Sequence, residues 1–107
     1  MRTDTFEDVW RQLQRELYPQ TEVRNWTVLK GYLGDSMKIV AVRAETIEVD
    51  APRARNLVVV PKAHFKAVWE IWNLYTDGQV PRGELTEITF FSKYIISILR
   101  WLEMENK

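Results

Sequence analysis

Cysteine is absent, and the four glycines and four prolines are scattered along the chain. Without thiols there are no disulfides, no thiolate metal sites and no cysteine nucleophile, and a reducing compartment is the natural setting. The single histidine, His64, leaves hydrolytic chemistry with one imidazole and no motif around it. It opens a helical segment and reads as a partly exposed helix-start residue. A zinc site would have one histidine and no cysteine to draw on, so no metal is expected. Gly31, Gly34, Gly78 and Gly83 suit turns, and no glycine-rich phosphate loop is present. No cofactor is implied. Glu48 and Asp50 share one strand face, where outward acids serve solvation. The chain reads as non-enzymatic.

Long apolar runs are also missing. No segment approaches the roughly 20 apolar residues of a membrane span. The opening "MRTDTFEDVW" places acids where a signal peptide needs an apolar stretch. A cytoplasmic protein without a membrane partner is expected. Charge of one sign is lacking as well: 15 basic and 15 acidic side chains cancel, nine of each in residues 1–60 and six of each in 61–107. The global basic footprint of a nucleic-acid binder is therefore missing. Locally, Arg53, Arg55, Lys62 and Lys66 lie between Asp50 and Glu70 with no acid among them. Lys93 and Arg100 lie likewise between Glu87 and Glu103. A basic face forms if these two segments meet; otherwise they are solvated loop and helix ends.

What the chain has is aromatic bulk. Five tryptophans, Trp10, Trp26, Trp69, Trp72 and Trp101, stand in 107 residues, a length that fits one domain. Rings of that size anchor a core or an interface.

The apolar period changes twice. Phe6, Val9, Trp10, Leu13 and Leu17 follow helical spacing, predicting a helix over about residues 5–17. Asp4 or Thr5 can cap it, and Tyr18-Pro19 ends it. "TEVRNWT" is a short strand candidate, and "GYLGDS" a loop. "MKIVAVR" and "ETIEVD" predict strands, with Ile47 and Val49 on one face. "NLVVV", a continuous apolar run, predicts a strand more buried than its neighbours. Short connections favour an antiparallel meander. "PKAHFKAVWEIWNLYTDG" then predicts one helix, led by Pro61 and ended by Gly78 at the left-handed C′ position. Pro81 starts a short helix with Leu85 and Ile88 inward. Ser92 caps a last helix whose inner stripe is Phe91, Tyr94, Ile95, Ile98, Leu99 and Leu102. Its opposite face carries Lys93, Ser97, Arg100 and Met104. The fold predicted is α+β in one domain spanning 1–107: an N-terminal helix, a three- to four-stranded antiparallel sheet, then C-terminal helices packed on the sheet. Trp69, Trp72, Tyr94 and Ile98 are predicted core.

The order short helix, turn, longer helix is that of a helix-turn-helix. "SKYIISIL", Ser92 to Leu99, resembles the recognition portion of bacterial repressor motifs. Thr86 stands where that motif has a small residue, and Phe90 where its turn has glycine. More widely, "VPKAHFKAVWEIWNLYTDGQVPRGEL…SKYIISILRWL" resembles small uncharacterised bacterial proteins, including products of mobile gene cassettes in integrons. Tyr75, Gly78, Arg82, Leu85 and Tyr94 to Leu99 carry that resemblance. It implies a compact accessory protein that can dimerise, and imports no activity.

Three functions follow as expectations. The first is a self-associating interaction module, a homodimer with Ile96 and Trp101 at its interface. The second is a DNA-binding accessory protein reading with Lys93, Ser97 and Arg100, helped by Arg53 and Arg55. The third is a small-molecule binder with an aromatic pocket between sheet and helices.

Overall fold

A computed structural model describes residues 5–51 and 54–105. The first helix, α1 (Phe6–Glu16), starts where the sequence allows it to. The Thr5 hydroxyl accepts the Asp8 N–H at 3.2 Å, and the Asp8 carboxylate accepts the Thr5 N–H at 3.4 Å. This reciprocal cap satisfies donors that the first helical turn leaves free. Phe6, Val9, Trp10 and Leu13 bury one stripe. The indole N–H of Trp10 donates to the Ala44 carbonyl and the Gln14 amide to the Arg43 carbonyl, tying α1 to the turn between the second and third strands.

Four strands follow as an antiparallel meander in the order β1-β2-β3-β4: β1 (Glu22–Thr27), β2 (Gly31–Val42), β3 (Thr46–Asp50) and β4 (Val58–Pro61). Val23, Met37, Ile39, Ile47, Val49 and Val60 face the core. The opposite face is wet. There Glu22, Lys38 and Asp50 stand in register on adjacent strands, so charges of alternate sign face one another. Of "NLVVV" only Val58–Val60 enters the short edge strand β4; Leu57 and Val59 are exposed, so the run is less buried than predicted. An apolar run cannot by itself distinguish a central strand from an edge.

The helical half contains α2 (Lys62–Trp69), α3 (Trp72–Thr76), α4 (Arg82–Ile88) and α5 (Ser92–Arg100), with a π-helical continuation over Trp101–Glu105. The predicted single helix from Pro61 to Gly78 is thus two, broken at Glu70–Ile71 without proline or glycine. Beyond the break Trp72 and Tyr75 are buried with ring centroids 5.7 Å apart. Gly78 closes α3 at φ 81°, the left-handed conformation in which glycine carries no Cβ penalty. Trp72 and Ile98 lie in the core, whereas Trp69 and Tyr94 are only partly buried against it. Leu85 points inward as predicted, but Ile88 does not. One apolar cluster joins α1, the sheet and α5, which lies across β1. The α+β architecture predicted from periodicity is the one observed. Among the described residues no helix is long and apolar enough to cross a membrane.

Candidate functional site

The segment "GYLGDS", read as a loop, belongs to β2 and contains its irregularity. Arg24 pairs with Ser36 and Trp26 with Tyr32, so Leu33, Gly34 and Asp35 stand opposite the single residue Asn25. Gly34 adopts φ 94° to make this possible. Bulges of this kind re-aim side chains and occur next to functional sites. Here Asn25 is 2% exposed. Its Nδ2 donates to Asp35 Oδ1 at 2.7 Å, while its Oδ1 has no partner. A buried, unpartnered amide oxygen carries a desolvation cost, which makes it a place to look for a ligand.

Asn25 lines a small cavity of about 220 Å³ with Trp26, Arg82, Lys93 and Ser97. Thr27, Leu33 and Arg82 also line a second, larger cavity of about 590 Å³. That one is a groove between the β1–β2 hairpin and the α3–α4 connection. Its walls are Val28, Leu29, Leu33, Tyr75, Val80 and Pro81, with Lys30 and Arg82 as the charged residues. Tyr75 fixes one wall: its hydroxyl accepts the Val28 N–H at 3.1 Å, and its ring meets Trp26 edge-on at 6.4 Å. No acid lines either cavity. Among the described residues neither Arg82 nor Lys93 has an ion-pair partner.

The residues expected to read DNA are arranged differently. Lys93 is exposed, but Ser97 is buried and Arg100 is half-buried. The Ser97 hydroxyl accepts the Trp26 backbone N–H, and the Arg100 guanidinium lies 4.4 Å above the Trp26 ring. These two side chains lock α5 to β1, so the expectation of an outward Lys93–Ser97–Arg100 face is corrected. Six of the nine residues of α5 are buried, and a recognition helix needs a free face. The turn before α5 also lacks the left-handed residue of the repressor motif. Gln20 is the one non-glycine with positive φ among the described residues. Ser92 is buried inside the first turn and does not cap the helix; Phe91 occupies the cap position. The Thr89 hydroxyl accepts the Phe91 N–H instead and pairs with His64 Nδ1 at 2.7 Å. His64 thus holds α2 to the α4–α5 turn. Arg55 is exposed, Arg53 lies outside the described residues, and Lys62 is paired with Glu7 at 3.2 Å.

Ile96 and Trp101, expected at a dimer interface, belong to the core; Ile96 is 0% exposed. The helix is covered on more sides than its periodicity implied. Glu48, largely covered rather than solvated as expected, pairs with the exposed Arg43 at 2.6 Å. Among the described residues no group of three or more histidine, cysteine, aspartate or glutamate side chains comes together as a metal site.

Asn25 was not singled out in the sequence, and Arg82 was named only as carrying the resemblance to cassette-type proteins, not as a site residue. A signal for Asn25 existed: it has the same strand parity as the inward Val23, and an amide at an inward position needs a partner. Arg82 had none, because its place depends on how the α3–α4 connection meets the hairpin. No family model, curated protein or solved structure matches the chain.

Proposed function

We propose that this chain is a non-enzymatic binding module whose working surface is the groove between the β1–β2 hairpin and the α3–α4 connection. The observation that supports this reading is the groove itself, with its volume of about 590 Å³ and its apolar walls. Ligand sites are concave, mostly apolar and marked by a few placed polar groups. Of the three readings open from the sequence, the small-molecule binder fits this geometry best. An accessory role of the kind found in cassette-type bacterial proteins is compatible with it.

Ligand-induced thermal stabilisation tests the reading. A ligand present at 100 times its Kd should add about 2.7 kcal/mol. For a domain of this size each kcal/mol shifts Tm by roughly 4–8 °C. A Val80→Asp change in the groove wall should abolish the shift while leaving the fold intact. A shift that survives it would move the site elsewhere.

A second reading, self-association, rests on a different surface from the one expected. Phe90 is 95% exposed at the α4–α5 corner, and Ile88 beside it is also exposed. A second copy covering this corner would remove both from water. Sedimentation at tens of micromolar, on the order of weak-dimer affinities, should then show a dimer that Phe90→Ser dissociates.

A further inference from the structure

We propose that the groove takes an acylated apolar amino-acid carboxylate, with its apolar body among the groove walls and its carboxylate between Arg82 and Lys93. The proposal rests on the groove reading and adds the chemical class of the ligand.

Three observations converge on that class. The first is charge. Lys30, Arg82 and Lys93 line the two adjoining cavities, and no acid lines either. Arg82 sits where the two cavities share residues, at the boundary between apolar groove and polar end. Neither Arg82 nor Lys93 is neutralised by an ion pair among the described residues. A guanidinium fork matches a carboxylate with two parallel hydrogen bonds. Asp35 is held to Asn25 Nδ2 and lines neither cavity.

The second is Asn25. Its Oδ1 is an unpartnered acceptor in a residue that lines the polar end. Donation from Nδ2 to a carboxylate polarises the amide and strengthens that acceptor. A ligand that satisfies it must bring an N–H or O–H close to its anionic group. A phosphate monoester dianion has acceptors only and leaves Oδ1 unmet. A free amino acid brings a charged ammonium beside two cations. A neutral amide N–H on the carbon that bears the carboxylate meets both demands. The Ser97 hydroxyl is already used by Trp26 and the Lys93 carbonyl, so it makes no competing demand.

The third is the groove, which has room for a branched side chain and an acyl tail. The same chemistry occurs in a free N-acyl amino acid and in the C-terminal residue of a peptide chain.

Isothermal titration with N-octanoyl-leucine, its carboxamide and its N-methyl analogue tests each element. The acid should bind, and the carboxamide should bind about tenfold more weakly or worse, as expected for a lost charge-assisted bond. The N-methyl analogue should lose a similar factor, which probes Asn25 without mutating a buried residue. Arg82→Gln should weaken the acid and leave the carboxamide unchanged. Equal binding of acid and carboxamide would overturn the ligand class while leaving the groove as a site. Equal binding of the N-methyl analogue and its parent would overturn the role of Asn25 and, with it, the acylated class. If neither the acid nor the carboxamide binds at millimolar concentration, the class falls, while the groove reading stands or falls by the thermal-shift test and Val80→Asp. A hexapeptide ending in leucine carboxylate distinguishes the sources. Tighter binding than N-octanoyl-leucine identifies a chain end, weaker binding a free ligand, and either supports the class.

Discussion

The hydroxyl of Ser97 accepts the backbone N–H of Trp26 at 3.0 Å, across 71 residues of sequence. This bond fixes where the last helix lies on the first strand, and both residues line the polar end of the groove. Ser97→Ala removes the acceptor and leaves a buried strand N–H unsatisfied. The expected loss is about 1–3 kcal/mol, because an orphaned buried donor loses its solvation without recompense. Urea denaturation at constant m-value measures it. An outward serine on a reading helix would change stability by no more than ~0.5 kcal/mol.

Arg100 makes the companion prediction. Its guanidinium stacks on the Trp26 ring, so Arg100→Ala should lower stability by about 0.5–2 kcal/mol. It should not alter affinity for DNA. A mixed-sequence duplex titrated at low salt should give no saturable binding, even though low salt exaggerates phosphate attraction. Salt-dependent binding that Lys93→Ala weakens would restore the reading helix.

The two neighbouring tryptophans of the helical half should separate in a truncation series. Trp72 is fully buried, and Trp72→Ala should cost roughly 3–5 kcal/mol, the range for removing a core aromatic. Trp69 only partly enters the core, so Trp69→Ala should cost less. Equal losses in paired denaturation curves would mean that the break between α2 and α3 does not set their burial.

The sequence was readable where one local rule decided the outcome. Phe6, Val9, Trp10 and Leu13 lie on one helical stripe, and Ile47 and Val49 alternate on a strand; all are buried. Gly78 ends a helix because a left-handed residue is needed there. Legibility failed where pairing partners decide. "GYLGDS" has the composition of a loop, yet two of its glycines supply positive φ within a strand. Whether such residues make a turn or a bulge depends on β1, which is remote from them in local pattern. Asn25 inherits that ambiguity, since its partner Asp35 is one of the three residues that stand opposite it. The face of α5 failed for another reason. Helical periodicity marks one apolar stripe, but Ser97 and Ile96 are buried by β1 and the other helices, and no local rule anticipates that.

Gly34 and Gly83 offer a last test, because the same substitution should act in opposite directions. A Cβ at either position meets nothing within 4 Å, so neither change is decided by a clash. What differs is the backbone. Gly34 sits at φ 94°, where an L side chain is strained, and it shapes the bulge that sets Asn25. Gly34→Ala should therefore destabilise the fold by roughly 1 kcal/mol or more. Gly83 lies in α4 with no positive φ. There alanine lowers the entropy of the unfolded chain and improves helix propensity, so Gly83→Ala should stabilise by about 0.4–1 kcal/mol. Thermal and urea unfolding of the two variants against the parent measure both signs. The groove supplies a further readout. Gly34→Ala should weaken ligand binding beyond its effect on stability, because Asn25 and Leu33 both depend on the bulge. Gly83→Ala, one residue from Arg82 but without altering the local conformation, should leave binding as it is. Stabilisation by Gly34→Ala would show that the three-against-one register does not persist in solution, and the site built on Asn25 would go with it.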